Sequence, residues 1–245
     1  MTRRVTSGNE ATGWLKVIAL ALMVIDHVGV IFFPADMVWR MVGRLAYPIY
    51  AWCLVVGACR TRSMKRYLLR MLAMFAVSQP LYMVALNHTW DQPNIMLTLA
   101  FALCALWGMR EKWCYSQWWA PAGAMLAAHL CNCSYGWKGV AAVILMYLMR
   151  DRRGLLAAVF PVFCFLWEPG GVYVGYHLGI TGEVLRHPFW GQAALQMFRV
   201  QSCAMFALPL MLIRFPCDIR MPAWLGYALY PAHLLVLYAA RLLVG

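Results

Sequence analysis

From Leu15 to the C-terminus the sequence is a succession of long apolar runs, punctuated by short basic or turn-rich stretches. A helix needs about 20 predominantly apolar residues to cross a bilayer. In lipid every backbone polar group must be satisfied within the segment, so such runs fold as transmembrane helices. A buried soluble core does not explain the pattern. The chain is 64% hydrophobic and only 12% charged, with a mean hydropathy of +0.65. A soluble domain is roughly 45–50% apolar and about 25% charged. No stretch between the runs is long enough to form a separate soluble domain. The expected fold is therefore all-α, a polytopic transmembrane bundle of about nine helices. It comprises a cytoplasmic tail at 1–13 and a single membrane domain at 14–245. Arg3 and Arg4 imitate the start of a signal peptide. The apolar run that follows is too long for one and contains Asp26 and His27, so it reads as a retained first helix.

Turn residues and charges set the expected boundaries. The first three helices run from Leu15 to Phe33, Val38 to Cys59 and Tyr67 to Leu86, the last two separated by a basic loop, Arg60 to Arg70. Three more run from Asn94 to Met109, Gln117 to Leu130 and Gly139 to Met149. The last three run from Leu155 to Trp167, Trp190 to Ile213 and Pro222 to Val244, with an ambiguous segment, Pro169 to Pro188, that holds a short or re-entrant helix.

The net charge of +12 is distributed as an orientation signal rather than as a nucleic-acid surface. With the N-terminus inside, the loops at Arg60–Arg70, Arg110–Lys112, Arg150–Arg153 and Arg214–Arg220 all fall inside. The alternate loops are poor in Lys and Arg, as the positive-inside rule requires. The nine cysteines are scattered through apolar helices, where Cys behaves as a small hydrophobe, and their spacing suits no metal site. No internal repeat supports an inverted-repeat transporter.

Ionisable groups inside a membrane segment are costly and are read as functional. Lys16, Leu20, Met23 and His27 share one face of the first helix. His27 lies about 16 Å beyond Lys16 along the axis. Arg40 and Arg44, one turn apart, suit an anionic group or a buried acid such as Asp26, against the alternative of a plain salt bridge to Asp26 or Asp36. In the last helix, His233 follows Tyr230 and Pro231 and falls at nearly the depth of His27, again about 16 Å from the inner boundary. An imidazole titrates near neutrality and can accept, donate or briefly carry a transferred group. Asn94 and Thr98, Tyr135 with Gly136 and Gly139, and the acids Glu168 and Glu183 complete the polar set. Asn94 also suits a helix cap, and the Tyr-Gly pair a turn.

At these residues the chain resembles the TraX family of conjugative plasmids. The matching pieces are Leu15 to Ala19, Met23 to His27, Gly43 to Pro48, Asn94 with Thr98, Tyr135-Gly136 with Gly139, and Tyr230-Pro231 with His233. Ser134 departs from the pattern, since many relatives carry an acid there. The first helix is more distantly similar to that of the acyltransferase-3 group. The resemblance implies a multi-pass acetyltransferase of the bacterial inner membrane. Its donor would be acetyl-CoA, with no metal, and its acceptor the N-terminal amine of a pilin subunit. His27 would act as base or transient acetyl carrier, oriented by Asp26 and assisted by His233. Arg40, Arg44, Asn94, Tyr135 and Tyr230 would hold the acceptor or the oxyanion. Lys16, Arg62, Lys65 and Arg66 would hold the phosphates of CoA, whose pantetheine arm is of the same order as the Lys16–His27 distance. Two other classes stay open: a proton-coupled transporter or flippase built on the two histidines, and a non-enzymatic pilin assembly factor.

The loop charges place the N-terminus inside and the C-terminus outside. A C-terminal alkaline phosphatase fusion is expected to be active and a C-terminal cytoplasmic reporter dark. The opposite pattern would remove one crossing and undo the depth match of His27 and His233.

Overall fold

A computed structural model of the chain describes residues 5–167, 171–219 and 223–244. It is helical, and among the described residues it has no β-strand, only an isolated antiparallel bridge between Tyr173 and Arg199. The first helices are α1 (Thr12–Phe32), α2 (Met37–Gly43), α3 (Ala46–Arg60), α4 (Met64–Leu86), α5 (Ile95–Glu111) and α6 (Ser116–Leu130). They are followed by α7 (Gly136–Met149), α8 (Arg153–Phe165), the single turn α9 (Glu183–Arg186), α10 (Trp190–Met197), α11 (Leu208–Leu212) and α12 (Ala223–Val244). A 3-10 stretch, Val200–Ala207, leads directly into α11. Among the described residues three spans are long and apolar enough to cross a membrane: α1, the α2–α3 unit Met37–Arg60, and α4.

The bundle has two chemically distinct ends. At the basic end, Arg110 Nη1 donates to the carbonyls of Ala58 and Thr61, and Arg214 Nη2 donates to Ser7 O. Residues 5–11 are not a free tail. Asn9 is fully buried, and its carbonyl accepts from Trp52 Nε1 at 2.7 Å. Burial opposes ionisation of Glu10, but the backbone N–H groups of Thr6 and Val5 and the Arg60 guanidinium outweigh it and hold its carboxyl below the ordinary range. At the other end, Ser134 Oγ donates to Pro93 O at 2.6 Å, Asn132 Nδ2 to Asp91 O at 3.0 Å and Arg241 Nη1 to Ala85 O at 3.3 Å.

Helix α3 is the axis of the packing. Trp52, Tyr47, Ile49, Val55 and Val56 are fully buried on different faces of it, as expected of a helix that is apolar all round. Small residues let its neighbours approach. A Cβ on Gly43 would lie 2.2 Å from Asp26 Cβ, and one on Gly139 would lie 2.8 Å from the Tyr47 hydroxyl.

Several expected boundaries need correction. The second helix is two helices, α2 and α3, separated by a tight turn at Arg44 and Leu45, where Leu45 N bonds to Val42 O. Pro48 has no N–H to give to the Arg44 carbonyl, so it belongs in a first turn, and α3 starts just before it. Lys65, Arg66 and Arg70 are on helix α4 rather than in a loop, because the Ser63 side chain caps its first turn. The run from Trp190 to Ile213 is not one helix. At Arg199 the backbone is extended, and its neighbours Phe198 and Val200 bond to the segment Val172–Val174 instead. A 3-10 helix rises about 2 Å per residue, so Val200–Leu212 reaches the basic end with few residues. The ambiguous segment holds a 3-10 turn, Gly175–Leu178, and α9. Glu168, Pro169, Arg220 and Pro222 lie outside the described residues.

The glycine contacts give a direct test of this packing. Gly43→Ala is expected to destabilise the protein by about 1–3 kcal/mol, because α1 and α2 must separate. Gly123, also helical, has nothing within 4 Å of its would-be Cβ. Gly123→Ala is expected to be neutral or stabilising by up to about 1 kcal/mol. Thermal unfolding in detergent checks both, and equal melting temperatures for the two variants would contradict the packing.

Candidate functional site

The two intramembrane histidines meet. His27 Nδ1 and His233 Nε2 are 3.1 Å apart, with the rings nearly parallel at 17° and their centroids 5.3 Å apart. His233 Nδ1 lies 3.3 Å from the carbonyl of Leu229, one turn back on α12. A carbonyl can only accept, so His233 Nδ1 carries a proton, and in the neutral ring its Nε2 then presents a lone pair. That lone pair accepts from His27 Nδ1–H. The tautomer of His27 is thereby fixed, and its Nε2 is left as a lone pair with no hydrogen-bond partner among the described residues. An accepting imidazole nitrogen with its opposite N–H anchored is the arrangement of a general base.

Helix α1 borders two cavities, and His27 lines the second of them. One, of about 150 Å³, is apolar and runs from Lys16 and Leu20 past Cys53, Tyr67 and Met71 to Tyr230. The other, of about 380 Å³, is polar and holds His27, Asp26, Arg44, Tyr82, Tyr135 and again Tyr230. The shared face read from the sequence thus splits, with Lys16 and Leu20 in the apolar cavity and Met23 and His27 in the polar one. Tyr230 is buried at the junction, its ring edge-on to His233 with centroids 5.3 Å apart.

The remaining residues singled out in the sequence fall into three groups. Arg40 and Arg44 line the polar cavity with His27, and so does Tyr135, which stacks on Tyr47 at 4.0 Å. Gly139 leaves room for that close approach, and Gly136 takes the left-handed φ of +51° next to Tyr135. Asp26 does not orient His27. Adjacent helix residues point about 100° apart. The Asp26 carboxylate instead lies 3.6 Å from Arg40 Nε. Asn94 is buried and committed: its Oδ1 caps α5 through Met96 N, and its Nδ2 donates to Ser78 Oγ at 2.9 Å. It lines neither cavity, which removes it from the candidate oxyanion donors. Arg62, Lys65 and Arg66 are exposed at the start of α4 and, unlike Lys16, do not line the apolar cavity.

Sequence reasoning missed Tyr82, whose ring centroid lies 6.5 Å from that of His27, and His88, which stacks on Tyr82. It also missed Gln201, whose Oε1 accepts from Arg44 Nη1 at 3.4 Å. Aromatic residues in apolar helices look like core, and Gln201 sits in a run expected to be an ordinary helix. Only Tyr47 carried a signal, through its place in the block Gly43 to Pro48. Among the described residues no cluster of His, Cys, Asp and Glu has the geometry to hold a metal ion.

A family model described as TraX protein matches residues 11–241. The probable fimbrial assembly protein FimC, serogroup H1, of Dichelobacter nodosus is 36% identical over 107 residues, covering 38% of this chain and 43% of that protein. Protein TraX of Escherichia coli is 27% identical over 160 residues, covering 60% of this chain and 62% of the relative. Protein TraX of Escherichia coli strain K12 is 27% identical over 154 residues, covering 59% and 60%. The chain therefore spans less than two thirds of the length of each of these relatives. No solved structure matches the chain.

The Asp26–Arg40 pair is testable by a double-mutant cycle. Removing one partner of a partly buried ion pair leaves a charge with lost compensation, which is worse than removing both. Arg40→Met is expected to melt lower than Arg40→Met combined with Asp26→Asn. A double variant that melts no higher than Arg40→Met alone would show that the two do not depend on each other.

Proposed function

The chain belongs to the TraX family, and from that premise we propose that it is a membrane-embedded acetyltransferase, moving an acetyl group from acetyl-CoA to the N-terminal amine of a pilin subunit. The observation that carries the reading is the accepting nitrogen of His27 beside the junction of two cavities of opposite character. The relatives' names point the same way for the acceptor, since one is called a fimbrial assembly protein. In this reading the protein is a multi-pass protein of the bacterial inner membrane, with the basic end and the N-terminus in the cytoplasm.

Acetyl-CoA approaches from the basic end. Lys16, which lines the apolar cavity, and the exposed Arg62, Lys65 and Arg66 near the start of α4 meet its phosphates, and the apolar cavity takes the pantetheine arm. The acceptor amine enters the polar cavity. Its nitrogen attacks the thioester carbonyl carbon while His27 Nε2 removes its proton. The oxyanion that forms is met by donors lining the same cavity, Tyr230, Tyr135 and Arg44. The carbon–sulfur bond then breaks, and the thiolate of CoA takes the proton back from His27. Throughout, His233 holds His27 Nδ1–H and with it the orientation of the ring, the role first expected of Asp26.

The test is the intact mass of the resident pilin in cells carrying each variant at matched levels. Pilin from cells with the wild-type protein should be heavier by one acetyl group. His27→Ala should lower acetylation at least about 100-fold. His233→Ala should lower it by about 10- to 100-fold, as loss of an orienting partner does. Full acetylation with His27→Ala would remove the base and favour a non-enzymatic role in pilus assembly.

A further inference from the structure

An amino terminus titrates at about 7.7–8.0, so at neutral pH it arrives largely as an ammonium. Only the free amine is a nucleophile. Transfer to an ammonium therefore takes two protons from nitrogen, one before attack and one as the amide forms. His27 removes the second and the thiolate of CoA receives it, which leaves the first without a place. We propose that His88 is the base that takes this first proton in the polar cavity and hands it to water. The proposal rests on the acetyl-transfer reading.

The loop after α4 places His88. Asn87 adopts the left-handed conformation, with φ of 57°, and ends the helix. The chain then folds back, so that His88 N donates to Met83 O at 3.0 Å and the His88 ring stacks on Tyr82, with centroids 4.9 Å apart and planes at 16°. The Tyr82 centroid is in turn 6.5 Å from that of His27. Both histidines line the same polar cavity, His27 buried and His88 half-buried. His88 Nδ1 is hydrogen-bonded to the side-chain oxygen of Gln92, which can only accept. In the neutral ring Nδ1 therefore carries the proton, and Nε2 is a lone pair with no hydrogen-bond partner among the described residues. Gln92 is itself anchored to the core. Its carbonyl accepts from Gln79 Nε2 at 3.4 Å, and the buried Gln79 Oε1 accepts from Asn94 N at 2.8 Å. The arrangement of His27, a fixed Nδ1–H and an accepting Nε2, is thus repeated in a wetter place.

The other titratable groups lining this cavity are Asp26 on α1, Arg40 on α2, Arg44 in the turn that follows, Cys133 before α7 and four tyrosines. Asp26 is paired with Arg40. Imidazole is the side chain whose ordinary titration falls between pH 5 and 8. The two histidines are therefore the groups suited to exchange protons here near neutrality. The step balances. An N–H bond of the ammonium breaks, its electron pair stays on nitrogen, and the proton goes to His88 Nε2. The half-buried imidazolium then loses it to water. One proton leaves per acetyl group, and CoA departs as the thiol.

The experiment follows the rate of mass gain of purified resident pilin with the full chain in lipid vesicles and acetyl-CoA, over a range of pH. His88→Phe keeps a ring against Tyr82 and removes the base. This variant must wait for the free amine, about one acceptor in twenty near pH 6.5. It should be at least about tenfold slower than the wild-type protein there, and within about twofold of it near pH 9, where the acceptor arrives as free amine. Titration of His27 is common to both proteins and cancels in the ratio. A loss of rate equal at every pH would leave the stack a structural role and overturn the proposal, as would an unchanged rate. Should His88→Phe fail to fold, His88→Gln is read on the same profile. No mass gain with the wild-type protein at any pH sinks the acetyltransferase and this step with it. Transfer by the wild-type protein with a flat ratio sinks this step alone.

Discussion

The site depends on one run of hydrogen bonds, from the Leu229 carbonyl through His233 to His27. With both rings neutral its direction is set, because a carbonyl has no proton to give. Each ring is therefore told by the one behind it which nitrogen to protonate, and the last lone pair appears on His27 Nε2. The run also fixes architecture. It requires α12 beside α1, and Tyr230 and Leu234 of α12 pack with Met23, Ala46 and Ala85 to provide that contact. A histidine here occupies the place that a carboxylate takes in a carboxylate–histidine pair, so no negative charge has to be placed on His27 Nδ1 in a low-dielectric region.

The charged residues are arranged around this pair rather than within it. Asp26, next in sequence to His27, turns away to Arg40, and the absence of a side chain at Gly43 makes room for it. The turn at Arg44 and Leu45 brings Arg44 to the same wall, in reach of Gln201 from the Val200–Ala207 stretch. Helix irregularity at membrane depth is tolerated where it lines a polar cavity or is buried in protein, and here the broken segments face the cavities. Tyr230 then closes the short interval between an apolar cavity at the basic end and a polar one at the other.

The sequence made the helices and the two histidines legible and left their partners hidden. Hydropathy, charge and turn residues marked α1, α4, α5 and α6 to within a few residues: side chains cap the starts of α4 and α5, and Pro34 closely follows α1. They could not mark the breaks at Arg44 and Arg199. The first depends on Pro48 and the second on backbone pairing with Val172–Val174, a contact distant in sequence. Depth along two parallel helices brought His27 and His233 to one level, but no sequence pattern distinguishes a level from a contact. Asp26 was assigned to His27 on adjacency, and helix geometry overrules adjacency. Asn94 looked like a polar group out of place and proves to be a cap. Gln201 and Tyr82 drew no notice, since one glutamine or tyrosine in an apolar run carries no period.

The most direct measurement of the central claim is the protonation site of the two rings. Solid-state nitrogen NMR on histidine-labelled protein in lipid, with His27→Gln and His233→Gln used for assignment, reads it from the nitrogen shifts. The expected result is His27 and His233 both carrying their proton on Nδ1, with His27 Nε2 bare and accessible. A His27 ring protonated on Nε2 and bare on Nδ1 would contradict the account, since Nε2 could then no longer accept a proton.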